Sequence, residues 1–164
     1  MADGPSAIIG YGLTGRSLSR WLTLENESIK IFDSDRALSV KNPHRGMIEE
    51  LHATTGWSAE NWEAALEGVA RLYLSPGVSL HSSAVRIARD QEIPVLTDLD
   101  LFNENIEKKP VIGVTGTNGK STVVALIGHL LEMSGFSVAI GGNYGKPALD
   151  LLDEKADLYV LELS

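Results

Sequence analysis

Short apolar runs alternate along the chain with stretches in which apolar residues recur every three or four positions. The short runs predict strands over residues 6–10, 28–33, 70–74, 94–97, 110–114, 136–140 and 156–163. The longer stretches predict helices over residues 13–24, 46–53, 82–91, 98–105, 123–133 and 147–152. Alternation of this kind is typical of parallel strands joined by crossover helices. The sequence therefore predicts an α/β fold, although the segment around Trp57 and Trp62 fits neither pattern.

The polar tract NENIEKK, residues 103–109, separates two groups of elements and is the best candidate for a linker. It predicts one domain over residues 1–109, linker included, and a second over residues 110–164. The second group is short for a complete sheet, yet its last strand, ADLYVLELS, has the uninterrupted apolar run of a central parallel strand. We therefore expect the N-terminal part of a longer protein. Because an unfinished sheet has an unpaired edge and an uncovered apolar face, we also expect a dimer or swapped assembly that buries residues 156–163.

Composition and charge narrow the class of protein. The 164 residues include no cysteine, which excludes a disulfide framework and a thiolate zinc site. The opening MADGPS begins neither a signal peptide nor a membrane span, so we expect a cytoplasmic protein without a membrane partner. The net charge of −8 argues against a nucleic-acid partner, which would need a basic face. Any bound phosphate must therefore be held by backbone N–H groups and single cations.

The stretch VIGVTGTNGKST, residues 111–122, has the parts of a phosphate-binding loop but misses the G-x-x-x-x-G-K-[ST] spacing by one position. Val114 stands where that pattern has its first glycine, and Gly113 lies one residue earlier. In a glycine-rich turn between a strand and a helix, N–H groups and the helix dipole converge on a phosphate. The candidate ATP-binding residues are Gly116, Thr117, Asn118, Gly119, Lys120, Ser121 and Thr122. An ordinary turn requires neither the lysine, which would reach the outer phosphates, nor the serine hydroxyl, which would ligate Mg²⁺.

A second glycine motif, IIGYGLTGRSL, contains G-x-G-x-x-G as Gly10, Gly12 and Gly15. Asp33 ends the next predicted strand, where a dinucleotide-binding fold places a carboxylate on a ribose. By itself the motif favours NAD, but another nucleotide with a sugar and a diphosphate fits the same turn. Glycines that only allow close helix–strand packing would give the same sequence pattern. The two motifs predict a Rossmann-like parallel-sheet N-terminal domain followed by the first part of a P-loop ATPase-type central domain.

Three stretches together, TGTNGKST (115–122), GGNYGKPALDLLD (141–153) and YVLELS (159–164), resemble the Mur ligases, ATP-dependent ligases of peptidoglycan synthesis. The ATP loop of that family carries the same displaced glycine. The Gly-Asn-x-Gly box followed by Pro-Ala-Leu, and the Glu-Leu-Ser ending, resemble the member that adds D-glutamate to UDP-N-acetylmuramoyl-L-alanine. The similarity runs from Ile8 to the last residue and is most specific after Pro110.

The resemblance implies a role for each matching residue. In the family the first domain holds the UDP part of the substrate, which favours a UDP-sugar over NAD at the glycine turn. Asp33, Ser34 and Arg36 would meet the uracil, in a segment where the family varies. The implied UDP-sugar residues are Gly12, Leu13, Thr14, Gly15, Asp33, Ser34, Arg36, Ser75, Pro76, Gly77 and Asn143.

The resemblance also implies a two-step reaction. ATP phosphorylates the carboxylate of UDP-N-acetylmuramoyl-L-alanine, and the amine of D-glutamate attacks the acyl phosphate. Lys120 is the implied catalytic residue, and Ser121 and Glu162 are the implied Mg²⁺ ligands. The family's remaining metal ligands and its D-glutamate pocket fall beyond residue 164, so we expect no amide formation by this chain alone. A non-catalytic dinucleotide-binding module and a P-loop switch acting through partners are the alternative functions.

Overall fold

The computed structural model describes residues 4–33, 50–53 and 59–163. The strands are β1 (Ser6–Ile9), β2 (Ile29–Asp33), β3 (Glu50–Ala53), β4 (Arg71–Leu74), β5 (Val95–Thr97), β6 (Val111–Val114), β7 (Val138–Gly142) and β8 (Leu158–Glu162). The α-helices are α1 (Leu13–Leu24), α2 (Ala59–Ala65), α3 (Ser83–Asp90), α4 (Asp98–Asn105) and α5 (Lys120–Met133), with a 3-10 helix at Ala148–Leu151. None of the helices in these ranges is long and apolar enough to cross a bilayer.

The chain divides into two compact units, Met1–Asp98 and Leu99–Ser164. The first contains a five-stranded sheet in the order β3-β2-β1-β4-β5, with all neighbours parallel. Its central strand β1 is buried at every residue, because helices and loops cover both faces of a parallel sheet. The order reverses at β1, and ligands bind outside the carboxyl ends of the strands at such a switch point. This confirms the predicted Rossmann-like arrangement.

One prediction within the first unit is wrong. Residues 50–53, expected as the end of a helix, form β3 and pair with β2 from Lys30↔Glu50 to Asp33↔Ala53. Pairing with the edge of β2 satisfies the backbone N–H and C=O groups of these residues. The short helical spacing in the sequence does not reveal this pairing partner, so the tertiary contact overrides the local pattern. The remainder of the expected helix, residues 46–49, and Trp57 lie outside the described residues.

Helix α2 was not predicted, and Trp62 explains its place in the fold. The Trp62 side chain is only 3% exposed, and its ring lies 5.0 Å from that of Phe32, centroid to centroid. Both residues belong to the main core of the first unit, which also contains Ile9 and Leu74 from the central strands. Burial of the large indole fixes this helix against the sheet.

The second unit contains a three-stranded parallel sheet in the order β6-β8-β7. Strand β8 is buried at every residue, which confirms the central strand predicted from its apolar run. Strand β8 inserts between the two earlier strands and pairs with both. The edges of the described sheet are β6 and β7, and the dimer through residues 156–163 stays a prediction.

Helix α4 groups with the second unit from Leu99 onward, and the expected linker overlaps it. Residues 103–105 are helical, and Ile106 is 7% exposed. Phe102 packs edge-to-face on Tyr159 of β8, with ring centroids 5.0 Å apart. These apolar contacts make residues 99–106 part of a core. The functional division at residue 109 stays a prediction.

Candidate functional site

The predicted ATP loop connects β6 to α5 in the second unit. Gly116 and Gly119 have φ of +146° and +77°, in the region that favours glycine. Residues 115–119 are exposed, and Gly119 is the N-cap of α5 with no side chain that could bond the first-turn N–H groups. Those N–H groups have no intrahelical partner and remain available to an anion.

Lys120 is the first residue of α5, and its side chain folds back over the loop. Its Nζ donates a hydrogen bond to the carbonyl oxygen of Gly116 at 2.8 Å. The ammonium group therefore lies beside the same turn as the free N–H groups. Since an ammonium has three donors, it can keep this bond while contacting a phosphate.

Three parallel strands of the second unit end at one level beside this loop. Val114 of β6 and Gly142 of β7 both pair with Glu162 of β8. Ser121 Oγ donates to Glu162 Oε2 at 2.6 Å, and the Asn143 N–H donates to the Glu162 carbonyl oxygen at 2.9 Å. The structure thus brings together Ser121, Glu162 and Asn143 at the carboxyl edge of the sheet, where ligands collect in open α/β folds.

Ser121 and Glu162 fit a magnesium ion chemically. A hydroxyl and a carboxylate are hard oxygen donors, and Mg²⁺ commonly takes one or two carboxylates together with phosphate oxygens and water. Among the described residues, no group of three or more His, Cys, Asp or Glu side chains could hold a metal by itself. The pair therefore fits a Mg²⁺ ion whose remaining ligands would be phosphate oxygens and water.

The glycine turn of the first unit combines packing glycines with an open one. A Cβ at Gly15 would lie 1.9 Å from the Gly10 carbonyl oxygen, so α1 approaches β1 too closely for any side chain. Gly10 itself has φ +88°. At Gly12, the N-cap of α1, φ is −71° and a Cβ would meet nothing within 4 Å. Packing therefore requires two of the three glycines, while Gly12 keeps open the approach to the helix N-terminus.

Asp33 at the end of β2 and Ser75 directly after β4 stabilise this turn from the two strands that flank β1. The Tyr11 N–H donates to Asp33 Oδ2 at 2.5 Å. Ser75 Oγ donates to the Gly10 carbonyl oxygen at 2.6 Å, and the Ser75 side chain lies largely buried. Both predicted residues thus lie at the glycine turn, and each bonds its backbone.

Comparison with known proteins identifies the family behind this geometry. Residues 5–97 match the sequence model of the Mur ligase MurD-like N-terminal domain. The chain belongs to the MurD-like Mur ligases. The resemblance found in the sequence is thereby confirmed.

Similar proteins agree with this assignment. The chain is 39% identical over 159 residues to the UDP-N-acetylmuramoylalanine–D-glutamate ligase of Shewanella oneidensis, covering 96% of this chain and 36% of that protein. It is 41% identical over 161 residues to the ligase of the same name from Nitrosococcus oceani, covering 97% and 34%. The MurD-like chain thus spans about a third of the length of these curated relatives.

A solved structure shows the shared fold. The UDP-N-acetylmuramate:L-alanyl-gamma-D-glutamyl-meso-diaminopimelate ligase of Neisseria meningitides matches with a TM-score of 0.55 at 17% identity, over 97% of this chain and 52% of that one. At that identity the match supports the architecture of the MurD-like chain and not its substrate.

The residues predicted for UDP-sugar binding fall in both units of the MurD-like chain. Pro76 and Gly77 lie in the turn that follows β4. Asn143 lies in the second unit beside Glu162, and the glycine turn lies in the first. The exposed Leu13 and the half-buried Thr14 open α1. Ser34 and Arg36 lie outside the described residues.

Sequence reasoning missed two residues at the glycine turn. Tyr11 is buried, and the guanidinium carbon of Arg16 lies 5.7 Å from the centroid of its ring. Tyr11 stands inside the glycine motif and Arg16 directly follows its last glycine. The available signal was the arginine in the opening turn of a helix, a place that favours acidic side chains.

Proposed function

We propose that this chain contains the UDP-binding and ATP-loop regions of a ligase that adds D-glutamate to UDP-N-acetylmuramoyl-L-alanine. Residues 1–109 hold the UDP part of the substrate, and residues 110–164 contribute the phosphate loop and one side of a magnesium site. Family membership supports the class of reaction. The curated relatives that carry this name are about three times as long, so the complete reaction belongs to a longer chain.

The observation that carries the ATP part of this proposal is the convergence around Glu162. A serine that immediately follows the loop lysine donates a 2.6 Å hydrogen bond to a carboxylate that is only 7% exposed. This pairing connects the loop to the end of the central strand. A glycine turn used only for packing has no need of this serine–carboxylate pair.

The proposed reaction proceeds in two steps. A carboxylate oxygen of the substrate attacks the γ-phosphorus of ATP, and the bond from that phosphorus to the bridging oxygen breaks to give an acyl phosphate and ADP. The amine of D-glutamate then attacks the acyl carbon, releasing inorganic phosphate and a proton as the amide forms. Catalysis of phosphoryl transfer depends on positioning and on neutralising charge.

The chain's own residues supply part of that positioning. The α5 N–H groups and the Lys120 ammonium bind and orient the outer phosphates of ATP, while Ser121 and Glu162 hold Mg²⁺. When bound, Mg²⁺ neutralises negative charge on the phosphate oxygens. Asn143, tied to Glu162 through its backbone, contacts the substrate at the edge of the same sheet.

Calorimetry of the 164-residue chain with UDP, NAD, and ADP with or without Mg²⁺ tests this proposal. We expect binding of UDP and of MgADP, a gain in ADP affinity from Mg²⁺, and no binding of NAD. Glu162→Gln, which keeps the side-chain volume, should abolish most of the Mg²⁺ gain and leave metal-free ADP affinity unchanged. Binding of NAD in place of UDP would overturn the substrate assignment.

An activity assay tests the division of labour. With ATP, Mg²⁺, D-glutamate and UDP-N-acetylmuramoyl-L-alanine, a full-length enzyme of the curated relatives should release phosphate and form product, and the 164-residue chain should not. Groups that act as a unit in catalysis fail together, so a partial site leaves little turnover. Ligation by the 164-residue chain at a rate near that of the full-length enzyme would refute the expected need for further residues.

A further inference from the structure

Arg16 is held in a defined position at the glycine turn. Its guanidinium carbon lies 5.7 Å from the centroid of the Tyr11 ring. Tyr11 is only 4% exposed, and its backbone N–H is bonded to Asp33. The ring is therefore a fixed platform, and stacking on it restricts where the guanidinium can go.

The fold alone gives little reason for a cation at this position. Arg16 lies one turn into α1, whose first turn contains no acidic residue, and a positive charge near a helix N-terminus opposes the helix dipole. Within the described ranges, no ion pair involves Arg16. Its side chain is exposed apart from the contact with Tyr11. Most of its hydrogen-bond donors are thus available to a ligand.

The direction of the Arg16 side chain indicates which ligand would use these donors. Helical side chains lean toward the helix N-terminus, and Arg16 accordingly reaches back over Tyr11, the residue that precedes Gly12 in the chain. The first N–H groups of α1, which have no intrahelical partner, point toward the same end of the helix. A guanidinium offers two parallel donors that match the oxygens of a phosphate. In a chain with a net charge of −8, a diphosphate needs such a local cation.

We propose that Arg16 binds the diphosphate of a uridine nucleotide at the glycine turn, and that Tyr11 and Asp33 position its guanidinium. This inference rests on the proposed function, because it takes the UDP part of the substrate as the ligand of the first unit. It adds a substrate-binding residue to those that the resemblance implies. It also gives Asp33 a second task, since one of its oxygens fixes the backbone of the residue on which Arg16 stacks.

A ligand series combined with charge variants tests the inference. Calorimetry would compare uridine, UMP and UDP on the wild-type chain and on Arg16→Gln, Arg16→Lys and Arg20→Gln. Arg16→Gln should weaken the binding of UDP about tenfold to a hundredfold, the range for a charged hydrogen bond, and leave the affinity for uridine unchanged. Arg16→Lys should recover part of the loss, because it restores the charge without the planar pair of donors. Arg20→Gln makes the same charge change one helical turn later and should leave UDP affinity unchanged.

The other outcomes separate a failure of this inference from a failure of the proposed function. Unchanged UDP affinity in Arg16→Gln, or an equal loss for uridine, would overturn the inference while leaving the proposed function intact. An equal loss in Arg20→Gln would reduce the effect to net charge and overturn it too. Failure of the wild-type chain to bind UDP would overturn the proposed function, and this inference with it. Thermal unfolding should show Arg16→Gln at least as stable as the wild type, which excludes loss of fold as the cause.

Discussion

Replacing Gly12 and Gly15 separately with alanine tests whether the glycine turn serves packing, ligand binding or both. The two residues lie three positions apart in one motif, and alanine adds the same methyl group to each. The methyl would meet the Gly10 carbonyl oxygen at 1.9 Å in Gly15→Ala and open space in Gly12→Ala. The first variant should therefore lose stability, and the second should lose ligand affinity.

The structure allows the two effects to be estimated. For Gly15→Ala, α1 or the turn must shift by more than 1 Å, and overpacking of this kind costs about 1–3 kcal/mol. The shift also disturbs the Ser75–Gly10 hydrogen bond, a further ~1 kcal/mol. Alanine's better helix propensity returns about 0.5–1 kcal/mol, which leaves a net loss of about 1–3.5 kcal/mol. For Gly12→Ala, small N-cap and unfolded-state effects oppose each other and leave the stability within about 0.5 kcal/mol.

Urea unfolding and UDP calorimetry on both variants measure these quantities. Gly12→Ala should unfold at the wild-type urea concentration but bind UDP about tenfold or more weakly, because the methyl stands where a diphosphate approaches the helix N-terminus. Gly15→Ala should unfold at a lower urea concentration. If Gly12→Ala binds UDP as well as the wild type does, the turn serves packing alone and the ligand lies elsewhere.

Two further predictions concern the second unit. Lys120→Ala should weaken the binding of MgADP by about 1.5–3 kcal/mol and leave the affinity for UDP unchanged. Lys155→Ala makes the same charge change and should alter neither affinity. If calorimetry shows equal losses for both ligands in Lys120→Ala, the two sites are misplaced. Gly142→Ala should destabilise the chain by about 2–4 kcal/mol in urea unfolding, because φ is +99° and the new Cβ would meet the Glu162 carbonyl oxygen at 2.4 Å. Gly145→Ala, with φ +76° and open space, should cost only about 1 kcal/mol, and a similar loss in both variants would contradict the steric argument.

The predicted elements succeeded where local pattern and tertiary environment agree. Helix α1 and helix α4 have the predicted bounds, and β8 is the buried central strand that its apolar run indicates. The failure at residues 50–53 has the opposite origin, since four residues with a weak helical pattern pair with the edge of β2. The spatial order of the strands could not be predicted from the sequence either, because the last strand of the chain inserts between β6 and β7.

The second-unit site followed from sequence more fully than the first-unit site. A lysine and a serine directly after a glycine turn have few uses besides phosphate and metal, and the structure pairs Ser121 with Glu162 across 41 positions of sequence. The glycine turn carried less information, because tight helix–strand packing and nucleotide binding select the same residues. The contact between Arg16 and Tyr11 had no sequence pattern that predicts it.

This ambiguity has a structural cause that also shows where specificity must lie. Gly10 and Gly15 are fixed by the approach of α1 to β1, and one oxygen of Asp33 is bonded to the Tyr11 N–H. Most of the fingerprint is therefore required to build the turn, whichever nucleotide binds there. Ligand binding falls to groups that the fold does not need, and in the described part of the turn Gly12 and Arg16 meet that condition. A uridine nucleotide and NAD share the diphosphate that these two positions would bind, so discrimination between them must come from contacts to the base, which the family resemblance implies for Asp33, Ser34 and Arg36.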